Sequence, residues 1–248
     1  MYAKIVQLLN DFFQDRWFLD SGSLLGVVRD GCFLKQDKGI DISVIIDDYN
    51  SPNLEKCAER LEQLGFIVSR YQWNNITYKY CFAPKYDNII KYAIDLHFFK
   101  KLNDNYLCPQ LKINSKSNFK IINLMRGLRK GNIYTDKLEK GLVGWFERIF
   151  ISLYRDQFHY FRQPMNMNCL TEGNDDNFYM WVIPCHLIKG VEMEIVYGLN
   201  ILRDCDEYLT YRYANWHIPV NDWVTLRDDG GIAKSSRNEI TELLNISH

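Results

Sequence analysis

Two aspartates occupy the same unusual setting. Asp41 lies in Ile40-Asp41-Ile42 and Asp95 in Ile94-Asp95-Leu96. The two-residue period of a strand places the apolar neighbours on one face and each carboxylate on the other. An acid on a core strand is costly unless it is paired or metal-bound. Two such acids on one sheet can share a hard divalent cation, Mg²⁺ or Mn²⁺, which prefers carboxylates together with ligand phosphates. Taken alone, Asp95 is also an ordinary exposed-face acid of an amphipathic strand. Upstream, Gly22 and Ser23 stand at a strand-to-helix junction, where bare backbone N–H groups and a hydroxyl make a seat for phosphate. Arg29 adds a cation that can neutralise charge on a transferred phosphate, whereas Lys38 reads as solvent-facing. His97 shares the face of Asp95. Its options are to orient the carboxylate, bind a ligand, act as a base or serve as a hydrogen-bonded strand histidine. Asp20 precedes the turn and suits a capping role.

These groups need elements that hold them. Residues 2–14 place Ile5, Leu8, Leu9 and Phe12 at helical spacing, which predicts a first helix against the sheet. A strand at 17–19, a helix over 24–29 ending at Asp30-Gly31, and the strand of Asp41 over 40–46 follow. Ser51-Pro52 starts a second amphipathic helix that Gly65 ends. Runs at 66–73 and 76–82, joined across Asn74-Asn75, predict a hairpin. The run of Asp95 at 89–99 and a fourth at 106–113 complete a meander. Helices are expected over 119–128 and 135–160, a loop over 163–177, strands over 178–184 and 191–202, a helix over 204–214, and a partly mobile tail from 228. The sum is an α/β (α+β) fold, a small mixed sheet flanked by helices. Residues 1–113 form its core, and 114–248 a helical and mixed region closing the cleft, within one structural unit.

Composition narrows the function. A net charge of −1 over 248 residues gives no general field for polyanions, so nucleic acid is not an expected partner. The seven cysteines are scattered without a paired motif, which fits reduced thiols in a cytoplasmic protein. No apolar run approaches the roughly 20 residues a membrane span requires. Dinucleotide fingerprints, P-loops, nucleophile elbows and HExxH are all missing from the sequence.

The segment Leu19-Asp20-Ser21-Gly22-Ser23-Leu24-Leu25-Gly26, then Val28-Arg29-Asp30-Gly31, Phe33-Leu34 and Asp37-Lys38-Gly39-Ile40-Asp41-Ile42, resembles the LicD/fukutin family of phosphotransferases. That family lies within the polymerase-β-like nucleotidyltransferase superfamily. A second stretch, from Asp204-Cys205-Asp206-Glu207-Tyr208-Leu209 through Arg212-Tyr213-Ala214-Asn215-Trp216 to Pro219 and Trp223, resembles the family's end region. The resemblance implies Mg²⁺ or Mn²⁺ held by Asp41, Asp95 and Asp37 as the catalytic carboxylates. The donor would be bound by Gly22, Ser23, Arg29, Tyr208 and Arg212. The implied reaction moves a phospho-alcohol (phosphocholine, or an alditol or glycerol phosphate) from a CDP-linked donor to a glycan or lipid-linked glycan. Nucleotidyl transfer from an NTP to a small molecule, and a silent nucleotide- or glycan-binding member, are the alternatives. The departure is Gly39, where the family carries the first of two carboxylates spaced two apart. In a straight strand Asp37 would lie roughly 13 Å from Asp41, at about 3.3 Å per residue. The expectation is therefore that Gly39 bends, through a bulge or positive φ, and swings Asp37 inward.

Overall fold

The computed structural model describes residues 2–35, 37, 39–84, 93–111, 165–166, 178–194 and 197–245. Helix α1 (Tyr2–Phe13) buries Ile5, Leu8 and Leu9, the stripe that its spacing predicts. Strand β1 (Trp17–Leu19) runs antiparallel to β2 (Gly39–Ile46), with Leu19 opposite Ile42. Between them lies α2 (Ser21–Asp30), capped at its C-terminus by Gly31 in the left-handed region. It begins three residues before the predicted start, because the Asp20 carboxylate caps the Ser21 N–H and frees the Gly-Ser pair to turn. Helix α3 (Pro52–Gln63) has proline in its first turn and packs Leu54, Cys57, Ala58 and Leu61 inward.

Strands β3 (Phe66–Trp73) and β4 (Ile76–Pro84) form the expected hairpin. Asn74 and Asn75 both adopt positive φ, the geometry that a two-residue turn between twisted strands demands. Strand β5 (Ala93–Leu102) is parallel to β2, with Asp41 directly beside Asp95 and Ser43 beside His97. It is antiparallel both to β4 and to β6 (Asn105–Leu111). Residues 89–92 of the predicted run, the helices expected over 119–128 and 135–160, and Cys169 lie outside the described residues. Of the loop expected over 163–177, Met165–Asn166 forms a short strand, β7, parallel to β3.

Later strands enlarge the sheet to nine. β8 (Phe178–Pro184) pairs along all of β6, and β11 (Ile232–Lys234) pairs with β8. The run over 191–202 is not one strand. It divides into β9 (Val191–Met193) and β10 (Asn200–Leu202), an antiparallel pair turned at Gly198, whose φ of 66° lies in the left-handed region. Helices α4 (Cys205–Tyr213), α5 (Thr225–Asp228) and α6 (Arg237–Asn245) complete the chain. Of the tail expected to be partly mobile, the described residues 228–245 are structured. β11 extends the sheet, and α6 buries Ile240, Leu243 and Leu244, each worth about 1.5–3 kcal/mol. The six cysteines among the described residues form no disulfide.

Candidate active site

The parallel pairing of β2 with β5 builds the site's floor. Because Asp41 and Asp95 are register partners, their side chains rise from the same face of adjacent strands, and His97 follows two residues later. One ligand atom from each of the three lies within 4.8 Å of the others. His97 Nε2 is 3.2 Å from Asp41 Oδ1, and the Gln110 amide nitrogen is 3.4 Å from Nδ1. An amide nitrogen only donates, so Nδ1 accepts and the Nε2 proton points at Asp41. Burial, and then the Lys79 ammonium, push the imidazole below its ordinary pKa, so it is neutral. Lys79 Nζ stands 3.0 Å from Asp95 Oδ2. Burial opposes its charge, but Asp95 and its neighbours outweigh that and hold the ammonium protonated.

Above this floor opens a cleft of about 560 Å³. Ser21, Gly22 and Asp37 line it, as do Tyr213, Trp216 and Trp223. Gly22 is there for close approach, since a β-carbon would collide with the Asp37 carboxylate. That carboxyl is pushed up to about 6, first by burial and then by the charge of Asp41. Its Oδ2 is buried without a hydrogen-bond partner among the described residues. The same holds for the indole N–H groups of Trp181 and Trp216, whose rings also line the cleft.

Beneath the turn lies a second polar cluster, wholly buried. Asp20 accepts from the Ser21 N–H, the Ser43 hydroxyl, the Tyr208 hydroxyl and the Arg212 guanidinium. Arg212 also forks onto Asp229 at 2.7 and 2.6 Å and lies 4.9 Å from the centre of the Trp181 ring. Trp181 in turn meets the His97 ring edge-on at 4.8 Å. Burial opposes the Asp20 charge, but Arg212 and the three hydroxyl and amide donors overcome it and hold the carboxyl below its ordinary value.

A phosphate-seating turn, paired strand carboxylates and a cleft between them coincide with a known family over residues 14–123, LicD/FKTN/FKRP, nucleotidyltransferase domain. Over those residues the chain is similar to the LicD family. No curated protein matches the chain. The LicD match spans α2 and β1 to β6 and stops before the second resembling stretch. It implies a phosphotransferase-type role in glycan modification.

The expected site residues separate. Asp41 and Asp95 come together, and Gly22 and Arg29 line the cleft. Arg29 is held in a fork by Asp30 and reaches the Trp216 carbonyl at 3.4 Å. Ser23 is buried, and its Oγ accepts the Asp41 N–H at 2.9 Å, so it ties α2 to β2. Tyr208 and Arg212 are buried in the Asp20 cluster and offer the cleft no surface. Asp37 lines the cleft but stands outside the Asp41–Asp95–His97 cluster, and Lys38 is outside the described residues. Sequence reasoning missed Lys79, Gln110, Trp181 and Asp229, none of which carries a motif.

Gly39 is not a hinge. It lies in β2 in register with Ala93 and is not among the glycines at positive φ. Asp37 turns back earlier, through a bend closed by its own N–H on the Leu34 carbonyl at 3.1 Å. Gly39 does share the face of Asp41. Its β-carbon would sit 3.3 Å from the Ala93 carbonyl oxygen, a contact that small adjustment relieves. Gly39→Asp is therefore expected to fold and to tighten Mn²⁺ binding on the order of tenfold, through one more carboxylate. Titration calorimetry with Mn²⁺ measures this; an unchanged affinity means that the added group does not reach the ion.

Proposed function

We propose that the protein transfers a phospho-alcohol from a CDP-linked donor to a hydroxyl of a glycan or lipid-linked glycan. The observation that carries this reading is the Asp41–Asp95–His97 cluster, whose Asp41 and His97 line the cleft beside Gly22, within the stretch that matches the LicD family model. Two carboxylates and an imidazole fit a divalent cation, and the nitrogen favours Mn²⁺ over Mg²⁺, which prefers oxygen alone. Asp41 and Asp95 would hold it, with His97 as third ligand or as the group orienting Asp41. Bound there, the cation would neutralise the donor's diphosphate.

The chain's own residues do the placing. The backbone at Ser21 and Gly22 would receive the phosphates at the start of α2, and the Tyr213, Trp216 and Trp223 rings that line the cleft would take the cytosine or the acceptor sugar. Trp181 and Trp216 supply N–H donors without partners among the described residues. In the transfer, the acceptor oxygen bonds to the phosphorus that carries the alcohol. The bond from that phosphorus to the CMP oxygen breaks, CMP leaves, and the acceptor proton passes to water. Placement and charge stabilisation account for most of the rate in such chemistry.

The test is nucleotide release with Mn²⁺ present, over a panel of CDP-alcohols and NTPs. CMP released from a CDP-alcohol supports the proposal. Pyrophosphate released from an NTP instead makes the protein a nucleotidyltransferase, and binding without turnover makes it a binding protein.

A further inference from the structure

We propose that the site works with one divalent cation and that the Lys79 ammonium supplies the second positive charge on the donor's diphosphate. This rests on the cation-dependent reading above. The described cationic side chains lining the cleft are Arg29 and Lys79. Arg29 is forked onto Asp30 from Nε and Nη2, 2.9 Å in each case, and so is committed beside the cleft. Lys79 is different. It rises from β4 opposite His97, on the same face as Asp95, and its side chain keeps 18% of its surface exposed. Its contact with Asp95 is a single 3.0 Å approach by a group with three donors on a flexible stem.

Two-cation sites for phosphoryl transfer place the ions about 3.5–4 Å apart and need carboxylates enough to hold both. Here the face of β2 carries Gly39 where a further carboxylate would point at the cleft, and Asp37 stands outside the cluster. Two clustered carboxylates suffice for one divalent ion. Beside them is the Lys79 ammonium, 3.0 Å from Asp95 Oδ2. When a cation takes Asp95, Lys79 is repelled from its partner and turns to the nearest anion, the diphosphate. The lysine then completes the neutralisation that one ion leaves unfinished. It is a substrate-contacting residue in this scheme.

The arrangement gives Lys79 effects of opposite sign on metal and on phosphate. Lys79→Gln is expected to tighten binding of Mn²⁺ alone by roughly tenfold, because a competing charge is gone. It is expected to weaken binding of inorganic pyrophosphate, measured with saturating Mn²⁺, by roughly tenfold or more. Lys79→Arg keeps the charge and should hold pyrophosphate within a few-fold of wild type. Calorimetry gives both affinities, and melting temperatures show whether each variant folds. If Lys79→Gln loses Mn²⁺ affinity, or leaves pyrophosphate binding unchanged, Lys79 is a strut for Asp95 and the assignment falls. A wild-type protein that still releases CMP from a CDP-alcohol in that case keeps the functional reading. A wild type that binds neither Mn²⁺ nor pyrophosphate overturns both.

Discussion

Replacing Arg212 by methionine is expected to destabilise the protein by about 3–5 kcal/mol, the cost of leaving buried charge without its partner. Asp20 and Asp229 both lie on Arg212, and all three side chains are within 1% of full burial. Methionine fills much of the volume, so the loss reads charge and hydrogen bonding more than packing. Arg212→Lys keeps the charge but cannot fork onto Asp229, and should fall between. Denaturant titration measures both, and a methionine variant within about 1 kcal/mol of wild type would refute the account. The acid limb tests the same contact. The Asp20 carboxyl is held below its ordinary 3.8 in the fold. Its contribution to stability is therefore complete above that value and is lost as pH falls through the lower folded one. Without Arg212 that support disappears, and acid unfolding should begin at higher pH.

The reach of this cluster explains what the sequence could and could not convey. Asp41 and Asp95 are legible because apolar-acid-apolar alternation is a local pattern, and local patterns survive folding. Their pairing depends on register between strands some fifty residues apart, which only the family resemblance supplied. Lys79 was illegible for the opposite reason: a lysine at an alternating strand position is what any solvent face looks like. Tyr208 and Arg212 were expected at the donor through the family resemblance. What decides their role is Asp20, buried nearly two hundred residues upstream, and Asp229, in the tail expected to be partly mobile. Main-chain bonds hold the same segment, as Gly230 donates its N–H to the Arg212 carbonyl and Gly231 donates to Asp229. Chain ends read as mobile when their partners are distant in sequence, and here the partners are an ion pair and the edge of β8.

Replacing Asp41 by asparagine is expected to abolish turnover, by on the order of 1000-fold or more, with little change in melting temperature. The magnitude follows because losing a group that merely orients a metal ligand already costs about 10–100-fold, and Asp41 would be a ligand itself. Its side chain is 27% exposed at the cleft, and asparagine can still accept the His97 N–H through its amide oxygen. The same substitution at Asp95 makes the contrast. Asp95→Asn should also lose Mn²⁺ binding, but it takes the carboxylate from Lys79 and leaves that ammonium partly buried without its charge partner. A stability loss of about 1–3 kcal/mol should accompany it, the usual cost of an uncompensated polar group. Calorimetry with Mn²⁺, nucleotide release and thermal melting, run on both variants, separate the roles. Loss of Mn²⁺ binding in both, with a lower melting temperature only in Asp95→Asn, assigns Asp41 to the cation alone and Asp95 to the cation and the fold together. Normal Mn²⁺ affinity in Asp41→Asn would remove the cation from β2, and with it the reason for two strand carboxylates to stand side by side.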